Sequence, residues 1–209
     1  MFGDGPLTFR EFAMGERLPL ATIHDAVIEF LRGRDDAAIF GAQAVNAYID
    51  EPRMTQDVDI LCPRAAELAE ELCRELNERF HIAVRICVVK QGIGYRLYQV
   101  RQPKNRHLVD VRTVAQLPPC NVIDGVLVLT PPELICQKIL SMSARSSTPK
   151  GLIDHADLQR LLLAFPELKS LEGLVADSLK TASASEVAHQ AWMDLVAREI
   201  LPDDEDAGF

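Results

Sequence analysis

Two aspartates, Asp57 and Asp59, are the residues of this 209-residue chain whose types and spacing best indicate chemistry. They lie near the end of a stretch that runs from Gly41 to Leu61. On a β-strand, residues two positions apart point to the same face, so these carboxylates would form a patch of like charge. A divalent cation offsets the repulsion, and Mg²⁺ prefers hard oxygen ligands of this kind. The pair therefore predicts a magnesium site that handles phosphate groups.

A third carboxylate is expected, because sites that transfer phosphoryl or nucleotidyl groups commonly clamp their cations between carboxylates. Asp110 is the candidate, since it lies in the apolar, strand-like segment Leu108–Val111. An aspartate among apolar residues serves a purpose other than solubility. It either completes a metal site with Asp57 and Asp59 or pairs with a nearby arginine such as Arg112.

Phosphate-binding candidates lie just before the aspartate pair. Gly41 permits a tight turn after a short apolar segment, so that backbone N–H groups from Ala42 onward would face a phosphate. Arg53 and Thr55 lie between this turn and the aspartates. At a spacing of two in an extended chain, they would share one face with the aspartate pair. The alternative for Arg53 is a surface position beside a neighbouring acid.

Two basic residues in the C-terminal part, Lys138 and Arg145, are further candidates. They are seven positions apart and therefore lie on one face of a helix, where both would meet a triphosphate. The alternative is a solvated helical face. Lys150, Asp154 and Asp157 form a second polar cluster, which we interpret as capping and exposed charges. The five histidines show no spacing typical of a metal site, so none is assigned to it.

The elements that must position these residues follow from hydrophobic periodicity and from turn residues. From Thr130 the pattern is helical to about residue 200, because Thr-Pro-Pro-Glu is typical of a helix start. The predicted organisation is an α+β body over residues 1–130 and a helical part over residues 131–209. Within the body we predict helices over 21–33, 42–49 and 64–80, strands over 37–40, 56–62, 82–90, 94–101 and 107–114, and a β-rich run over 122–130.

The charge distribution is uneven. The net charge is −9, with 22 basic and 31 acidic residues, so the whole molecule is not a broad binder of polyanions. Phosphate contacts come largely from lysine and arginine, so a local basic window favours a phosphate-rich acceptor. Such a window covers residues 79–109, which include no acid and hold Arg79, Arg85, Lys90, Arg96, Arg101, Lys104 and Arg106.

The five cysteines are odd in number and lack paired spacing, which indicates buried free thiols of a cytosolic protein. The N-terminus shows no secretory signal, and no apolar run approaches the roughly 20 residues that span a bilayer. We therefore expect a cytoplasmic protein without a membrane partner.

The segments described above resemble the DNA-polymerase-β-type nucleotidyltransferase superfamily, and within it the abortive-infection (AbiEii-like) and toxin branch. That branch shows Gly-Gly-x-Ala-Val/Leu followed by Arg-x-Thr/Ser-x-Asp-x-Asp, which corresponds here to Gly41–Val45 and Arg53–Asp59. Ala42 stands where the branch has its second glycine. The family's third strand carboxylate matches Asp110, and a later lysine helix is similar to the segment that starts at Lys138.

The resemblance implies a mixed, twisted sheet with flanking helices and a C-terminal helical subdomain. It implies that Asp57 and Asp59 hold Mg²⁺ and a nucleoside triphosphate. Asp110 would complete the metal site and help to deprotonate an acceptor hydroxyl. The residues that would hold the phosphates are Gly41, the amides after it, Lys138 and Arg145.

The implied activity is transfer of a nucleoside monophosphate to a hydroxyl of a tRNA 3′ end or of a protein. The implied setting is a toxin–antitoxin or antiphage system with a small regulator protein. Two alternatives stay open. One is an antitoxin-like module that binds a partner or a nucleotide without turnover, which Ala42 favours and the three carboxylates disfavour. The other is a small-molecule adenylyltransferase of the aminoglycoside type, which uses a similar turn and aspartate pair.

Overall fold

The structure, a computed structural model, describes residues 18–202. The ends of the two predicted parts, residues 1–17 and 203–209, lie outside the described residues. The chain divides into two compact units, the first ending at Leu129 and the second beginning at Thr130.

The first unit contains three α-helices and seven strands in its described part. Its helices are α1 (Leu20–Leu31), α2 (Gly41–Asn46) and α3 (Ala65–Phe80). Its strands are β1 (Ala38–Phe40), β2 (Val58–Cys62), β3 (Val84–Val89), β4 (Gly94–Gln99), β5 (Arg106–Thr113), β6 (Cys120–Ile123) and β7 (Val126–Leu129).

The strands form one mixed sheet in the order β3-β4-β5-β2-β1-β7-β6. Strand β5 runs parallel to β2, and β7 runs parallel to β1. The other neighbouring pairs are antiparallel. The prediction of a mixed sheet with flanking helices is therefore confirmed.

One face of the sheet carries the core of the first unit. Helix α3 packs on β2, β3, β4 and β5, and α1 packs on α3, β5 and β7. Leu68, Leu72 and Leu76 form the buried stripe of α3, at the helical spacing that predicts it. The strand residues Ile60, Leu97 and Val109 on this face are completely buried.

Side chains alternate between the two faces of a strand. The side chains of Asp59, Arg96 and Asp110 therefore point to the face opposite the core. Asp59 is the direct register partner of Asp110 on parallel strands, and Arg96 is the antiparallel partner of Asp110. The topology therefore brings charged residues from three neighbouring strands into one row across the sheet. We call this side of the sheet the polar face.

The segment predicted as a single run over 122–130 is a hairpin of β6 and β7. Asp124 and Gly125 form its turn, and both have positive φ, 51° and 79°. An Asp-Gly pair at these angles is typical of a two-residue hairpin turn, because its twist matches that of the strands. The β-rich run predicted there is therefore two strands, and the Asp-Gly signal that divides them was present in the sequence.

The second unit contains helices and no strand in its described part. It contains α4 (Pro131–Ala144), α5 (Pro149–Ala164), α6 (Leu174–Thr181) and α7 (Glu186–Ala197). Helix α4 packs on the other three helices and begins with proline at its first position, as predicted. Thr130 precedes it at the capping position, although its side chain makes no capping hydrogen bond. Within residues 18–202, no helix combines the length and the apolarity that a membrane span requires.

Candidate functional site

Asp57, His107 and Asp110 meet at one end of the polar face. His107 Nδ1 lies 3.0 Å from Asp57 Oδ2, and His107 Nε2 lies 3.3 Å from Asp110 Oδ1. One ligand atom from each of the three residues lies within 4.8 Å of the other two. The imidazole ring therefore stands between two carboxylates that come from different parts of the chain.

A β-bulge brings His107 to this position. In strand β4, Leu97 faces Val109 of β5, whereas the next residue, Tyr98, faces His107. Leu108 is thus an additional residue in β5, and its side chain is completely buried. In a regular strand, positions 107 and 110 point to opposite faces, but the additional residue turns His107 toward the face of Asp110.

The electrostatics of the cluster favour charged side chains. Burial lowers the pKa of His107, but the neighbouring Asp110 and Asp57 outweigh this effect and raise the pKa to about 9. Burial raises the pKa of Asp110, but His107 and Arg96 outweigh it and keep that pKa below its ordinary value. The cluster therefore holds an imidazolium beside the ionised carboxylate of Asp110 at neutral pH.

Asp110 also has an arginine partner. Arg96 Nε donates a hydrogen bond to Asp110 Oδ1 over 2.9 Å. Arg112, the arginine named from the sequence as the alternative partner, instead places its guanidinium 4.7 Å from the centre of the Phe40 ring. Both the Arg96 contact and the His107 contact use the Oδ1 atom of Asp110.

Asp59 lies against the turn that Gly41 begins. Gly41 has φ of +71°, and a Cβ atom added there would lie 2.8 Å from Asp59 Cγ. The position therefore needs glycine for its backbone conformation and for the space that the carboxylate occupies. Asp59 is not part of the cluster formed by Asp57, His107 and Asp110.

The loop before β2 is held by Asn46, the last residue of α2. Asn46 Nδ2 donates to the Arg53 carbonyl over 2.7 Å, and the Arg53 amide donates to Asn46 Oδ1 over 3.1 Å. The guanidinium of Arg53 donates to the carbonyl of Met54. Thr55 Oγ1 is a buried atom that makes no hydrogen bond to the described part of the chain. Arg53, Thr55 and Asp57 are partly buried, whereas Met54 is exposed.

The two basic residues predicted in the helical part belong to an ion cluster within the second unit. Lys138 is only 7% exposed, and its Nζ lies 2.7 Å from Asp157 Oδ2 and 3.2 Å from Asp154 Oδ1. Arg145 Nη2 lies 2.6 Å from Asp154 Oδ2. Asp154 and Asp157 are 4% and 0% exposed, so the interpretation of these acids as exposed charges was wrong. Contact of Lys138 and Arg145 with a triphosphate stays a prediction.

The donor set fits a divalent cation. The Asp57 and Asp110 carboxylates supply hard oxygen ligands, and His107 supplies a nitrogen. His107 Nε2 is buried and makes no hydrogen bond within the described residues, because its approach to Asp110 lacks the alignment of one. An orphaned ring nitrogen beside a carboxylate is suited to a metal ion. The sequence pattern missed His107, since a bulge leaves no signature in residue spacing.

Comparison with known proteins supports the fold. No protein-family model matches the sequence, and a search of curated proteins found no match. A solved structure of the Megavirus polyadenylate synthase aligns with 70% of this chain at a TM-score of 0.55 and 17% identity. This chain spans 32% of that protein's length. The antibiotic-resistance factor ANT(2'')-Ia aligns with 80% of this chain and 93% of its own, at a TM-score of 0.50 and 17% identity. The chain therefore has the nucleotidyltransferase fold.

Proposed function

We propose that this protein is a nucleotidyltransferase that depends on a divalent cation, for which the sequence predicts Mg²⁺. It would transfer a nucleoside monophosphate from a nucleoside triphosphate to an acceptor hydroxyl. The observation that carries the proposal is the approach of Asp57, His107 and Asp110 to within 4.8 Å on a nucleotidyltransferase fold. A bound cation would offset the repulsion between the like-charged carboxylates on the polar face.

The carboxylates that we assign to the cation site are Asp57, Asp59 and Asp110, of which Asp59 lies outside the three-residue cluster but is the register partner of Asp110. When bound, the cation would supply Lewis acidity and neutralise charge on the reacting phosphate. In the reaction, the acceptor oxygen forms a bond to the α-phosphorus, and the bond from that phosphorus to the pyrophosphate oxygen breaks. The hydroxyl proton passes to a carboxylate oxygen of Asp110. The remaining work of the chain is to position the two substrates.

The triphosphate is assigned to residues around the turn after β1. Gly41 and Ala42 would offer backbone amides, and Arg53 and Thr55 would offer side chains from the loop that Asn46 holds. The hydroxyl of Thr55 is buried and has no hydrogen-bond partner within residues 18–202, which supports its part in this assignment. Lys138 and Arg145 stay assigned to the triphosphate as well. Both pair with the buried Asp154, so their assignment needs a separate test.

The proposed acceptor is a nucleic acid, with a tRNA 3′ end as the specific proposal. Arg85, Arg96 and Arg112 lie on three adjacent strands and point to the polar face, as register partners of Tyr98, Asp110 and Gly94. All three arginines are exposed. A row of arginines beside metal-binding carboxylates is suited to the phosphates of a strand whose terminal hydroxyl reaches the cation.

We further propose an AbiEii-like, toxin–antitoxin or antiphage setting, in which a small regulator protein controls the activity. The support is the segment Arg53–Asp59 and the turn at Gly41. A gene for a small regulator beside the gene for this protein would support this setting, and its absence would count against it.

The test is transfer of label from each of four α-labelled nucleoside triphosphates to cellular RNA and protein. We expect label on RNA with the wild-type protein. Because Asp57→Asn and Asp110→Asn each remove a charge that stabilises the transition state, they should lower transfer by at least about 100-fold. Asp35→Asn is the matched control, since Asp35 is exposed. Transfer that is absent, or that is unchanged in both site variants, would refute the proposal.

A binding module without turnover is the second candidate, and the position of His107 favours it. An imidazolium between Asp57 and Asp110 neutralises the carboxylates without any metal. Ala42, in place of a second glycine, also fits a weakened phosphate site. Calorimetry separates the candidates, because a module of this kind would bind nucleotide with equal affinity in the presence and absence of a divalent cation. A third candidate, a small-molecule adenylyltransferase, has the likeness to ANT(2'')-Ia as its support.

A further inference from the structure

The ligand atoms gathered at the candidate site are of two kinds. Asp57 and Asp110 offer oxygen, and His107 offers nitrogen from a ring that lies between them. The sequence predicted Mg²⁺ from carboxylates alone. The imidazole changes the chemistry of the donor set, because Mg²⁺ retains water and oxygen ligands, whereas imidazole nitrogen suits first-row transition metals.

The two ring nitrogens of His107 have different surroundings. Nδ1 lies 3.0 Å from Asp57 Oδ2, at the distance of a charge-assisted hydrogen bond. Nε2 is buried, lacks a hydrogen bond within the part of the chain that the structure describes, and lies 3.3 Å from Asp110 Oδ1. Histidines that bind metals commonly donate one ring N–H to a carboxylate and bind through the other nitrogen. Asp57 is placed to orient the ring in this way.

The ring is also held from its face. Tyr98 lies opposite His107 in the register of β4 and β5, and the two ring centres are 4.9 Å apart with a tilt of 30°. Since the bulge at Leu108 aims the ring and Tyr98 limits its movement, Nε2 points toward Asp110 before any ion arrives. A ligand that is already oriented loses little conformational freedom when it binds.

We propose that the site formed by Asp57, His107 and Asp110 selects a first-row transition dication over Mg²⁺, with His107 Nε2 as a direct ligand. Mn²⁺ is the ion to test, because it accepts nitrogen and also suits carboxylate and water ligands. This inference rests on the proposed function for the presence of a cation at these residues. It adds the class of the ion and one residue that determines it.

Arg96 bears on the proposal, because it competes for Asp110. Its Nε and His107 Nε2 both approach Oδ1 of that carboxylate. A dication that binds His107 Nε2 would displace the proton of that nitrogen to solvent and would replace the contact between the ring and Asp110. The hydrogen bond from Arg96 would keep the carboxylate in its present orientation. The expected ligands within the cluster are therefore Nε2 of His107 and one oxygen of Asp110, while Asp57 keeps its contact with Nδ1 and orients the ring.

The experiment measures Mn²⁺ binding to the full-length protein by electron paramagnetic resonance. Electron spin-echo modulation reports a nitrogen bonded to Mn²⁺, and labelling of histidine with ¹⁵N changes its frequency. We expect nitrogen modulation in the wild type, a shift of that modulation on ¹⁵N-histidine labelling, and its loss in His107→Gln. His189→Gln is the control, since that histidine lies at the surface of α7.

Competition titrations give the affinities. Loss of the nitrogen ligand in His107→Gln should weaken Mn²⁺ binding by about 10- to 100-fold. Binding of Mg²⁺, measured by displacement of Mn²⁺, should change much less, because glutamine offers an oxygen in place of the nitrogen. The ratio of the two affinities, rather than either alone, tests the selectivity.

The outcomes separate the inference from the proposed function. Bound Mn²⁺ without a histidine nitrogen signal in the wild type would overturn the inference, and so would failure of any dication to bind. Neither result depends on the folding of a variant. Nitrogen-coordinated Mn²⁺ in a protein that transfers no nucleotide would uphold the metal site and overturn the proposed function. Nucleotide transfer that depends on Asp57, together with a bound metal ion that has no histidine ligand, would uphold the proposed function and overturn the inference.

Discussion

Asp59 of β2 and Asp110 of β5 are direct register partners on neighbouring parallel strands. They are far apart in sequence, and the parallel pairing places their side chains on one face. Such a pairing of like charges would destabilise a sheet unless cations neutralise it. Around these two residues the described structure places Arg96 and His107, which are the cations nearest to Asp110.

Gly41→Ala should disable the candidate site, because the new Cβ atom would meet the Asp59 carboxylate. We expect a loss of at least about 1–2 kcal/mol in the free energy of unfolding, from the left-handed backbone alone, and loss of nucleotide binding. Gly33→Ala is the matched control, since Gly33 has a similar φ of +77° and no atom of residues 18–202 lies within 4 Å of the added Cβ. Urea unfolding and calorimetry give the two quantities. Equal nucleotide binding by both variants would contradict the assigned contact.

Lys138→Met should destabilise the protein by about 3–5 kcal/mol, because it leaves buried Asp157 without its closest cation. Urea unfolding measures the effect. Replacing both partners, in Lys138→Met with Asp157→Leu, should restore much of the stability, since apolar residues then fill the site. Lys180→Met is the control, because Lys180 lies on the exposed surface of α6.

The same double variant tests the assignment of Lys138 to the triphosphate. If its stability recovers and its affinity for nucleoside triphosphate is that of the wild type, Lys138 has a structural role in the second unit. If stability recovers but nucleotide binding is lost, the ammonium group itself contacts the phosphates.

Asp36 should make the stability of the protein depend on pH in the acidic range. Its hydrogen bond with Arg34 lowers the pKa of this carboxyl below 3.8, against the opposing effect of burial, and Arg64 adds to the effect. A lowered folded-state pKa means that the stabilisation is present above pH 3.8 and is lost as the pH falls through the folded-state value. Asp36→Asn should therefore lower the free energy of unfolding by up to about 1 kcal/mol at pH 7. In urea titrations the difference should shrink as the pH falls below 3.8, and a difference that stays constant through this fall would refute this explanation.

Arg85→Ala and Arg112→Ala should each weaken binding of single-stranded RNA and make its salt dependence shallower by about 0.7 in the slope of log K against log salt. The reason is that each arginine would neutralise one phosphate. Arg74→Ala is the control, because Arg74 is an exposed arginine of α3, on the other side of the sheet. Fluorescence anisotropy without a divalent cation isolates this binding from catalysis. A slope that Arg74→Ala changes equally would indicate only a general effect of net charge.

The residues with regular spacing could be found from the sequence. Asp57 and Asp59, two apart before and within β2, and Asp110, amid apolar residues of β5, were named from pattern alone. Helix α3 follows its leucine stripe, and α4 begins at the Thr-Pro-Pro segment. These features depend on local geometry, which repeats along a helix or a strand and therefore leaves a period in the sequence.

Other features depend on the folded chain. His107 lies in the site because a bulge at Leu108 shifts the register between β4 and β5. The spacing of residues in the sequence does not indicate a bulge. Lys138 contacts Asp154 and Asp157 because α4 and α5 pack together. The sequence alone allowed a solvated position for this lysine, but packing buries it.

By itself, the sequence determined the α+β organisation, the glycine turn at Gly41 and the aspartates available to a cation. Only the tertiary structure decided which groups surround those aspartates: Arg96 and His107 for Asp110, and Gly41 for Asp59. The physical reason is that periodicity reports the face on which a side chain lies, whereas its partners are set by strand register and packing between distant segments.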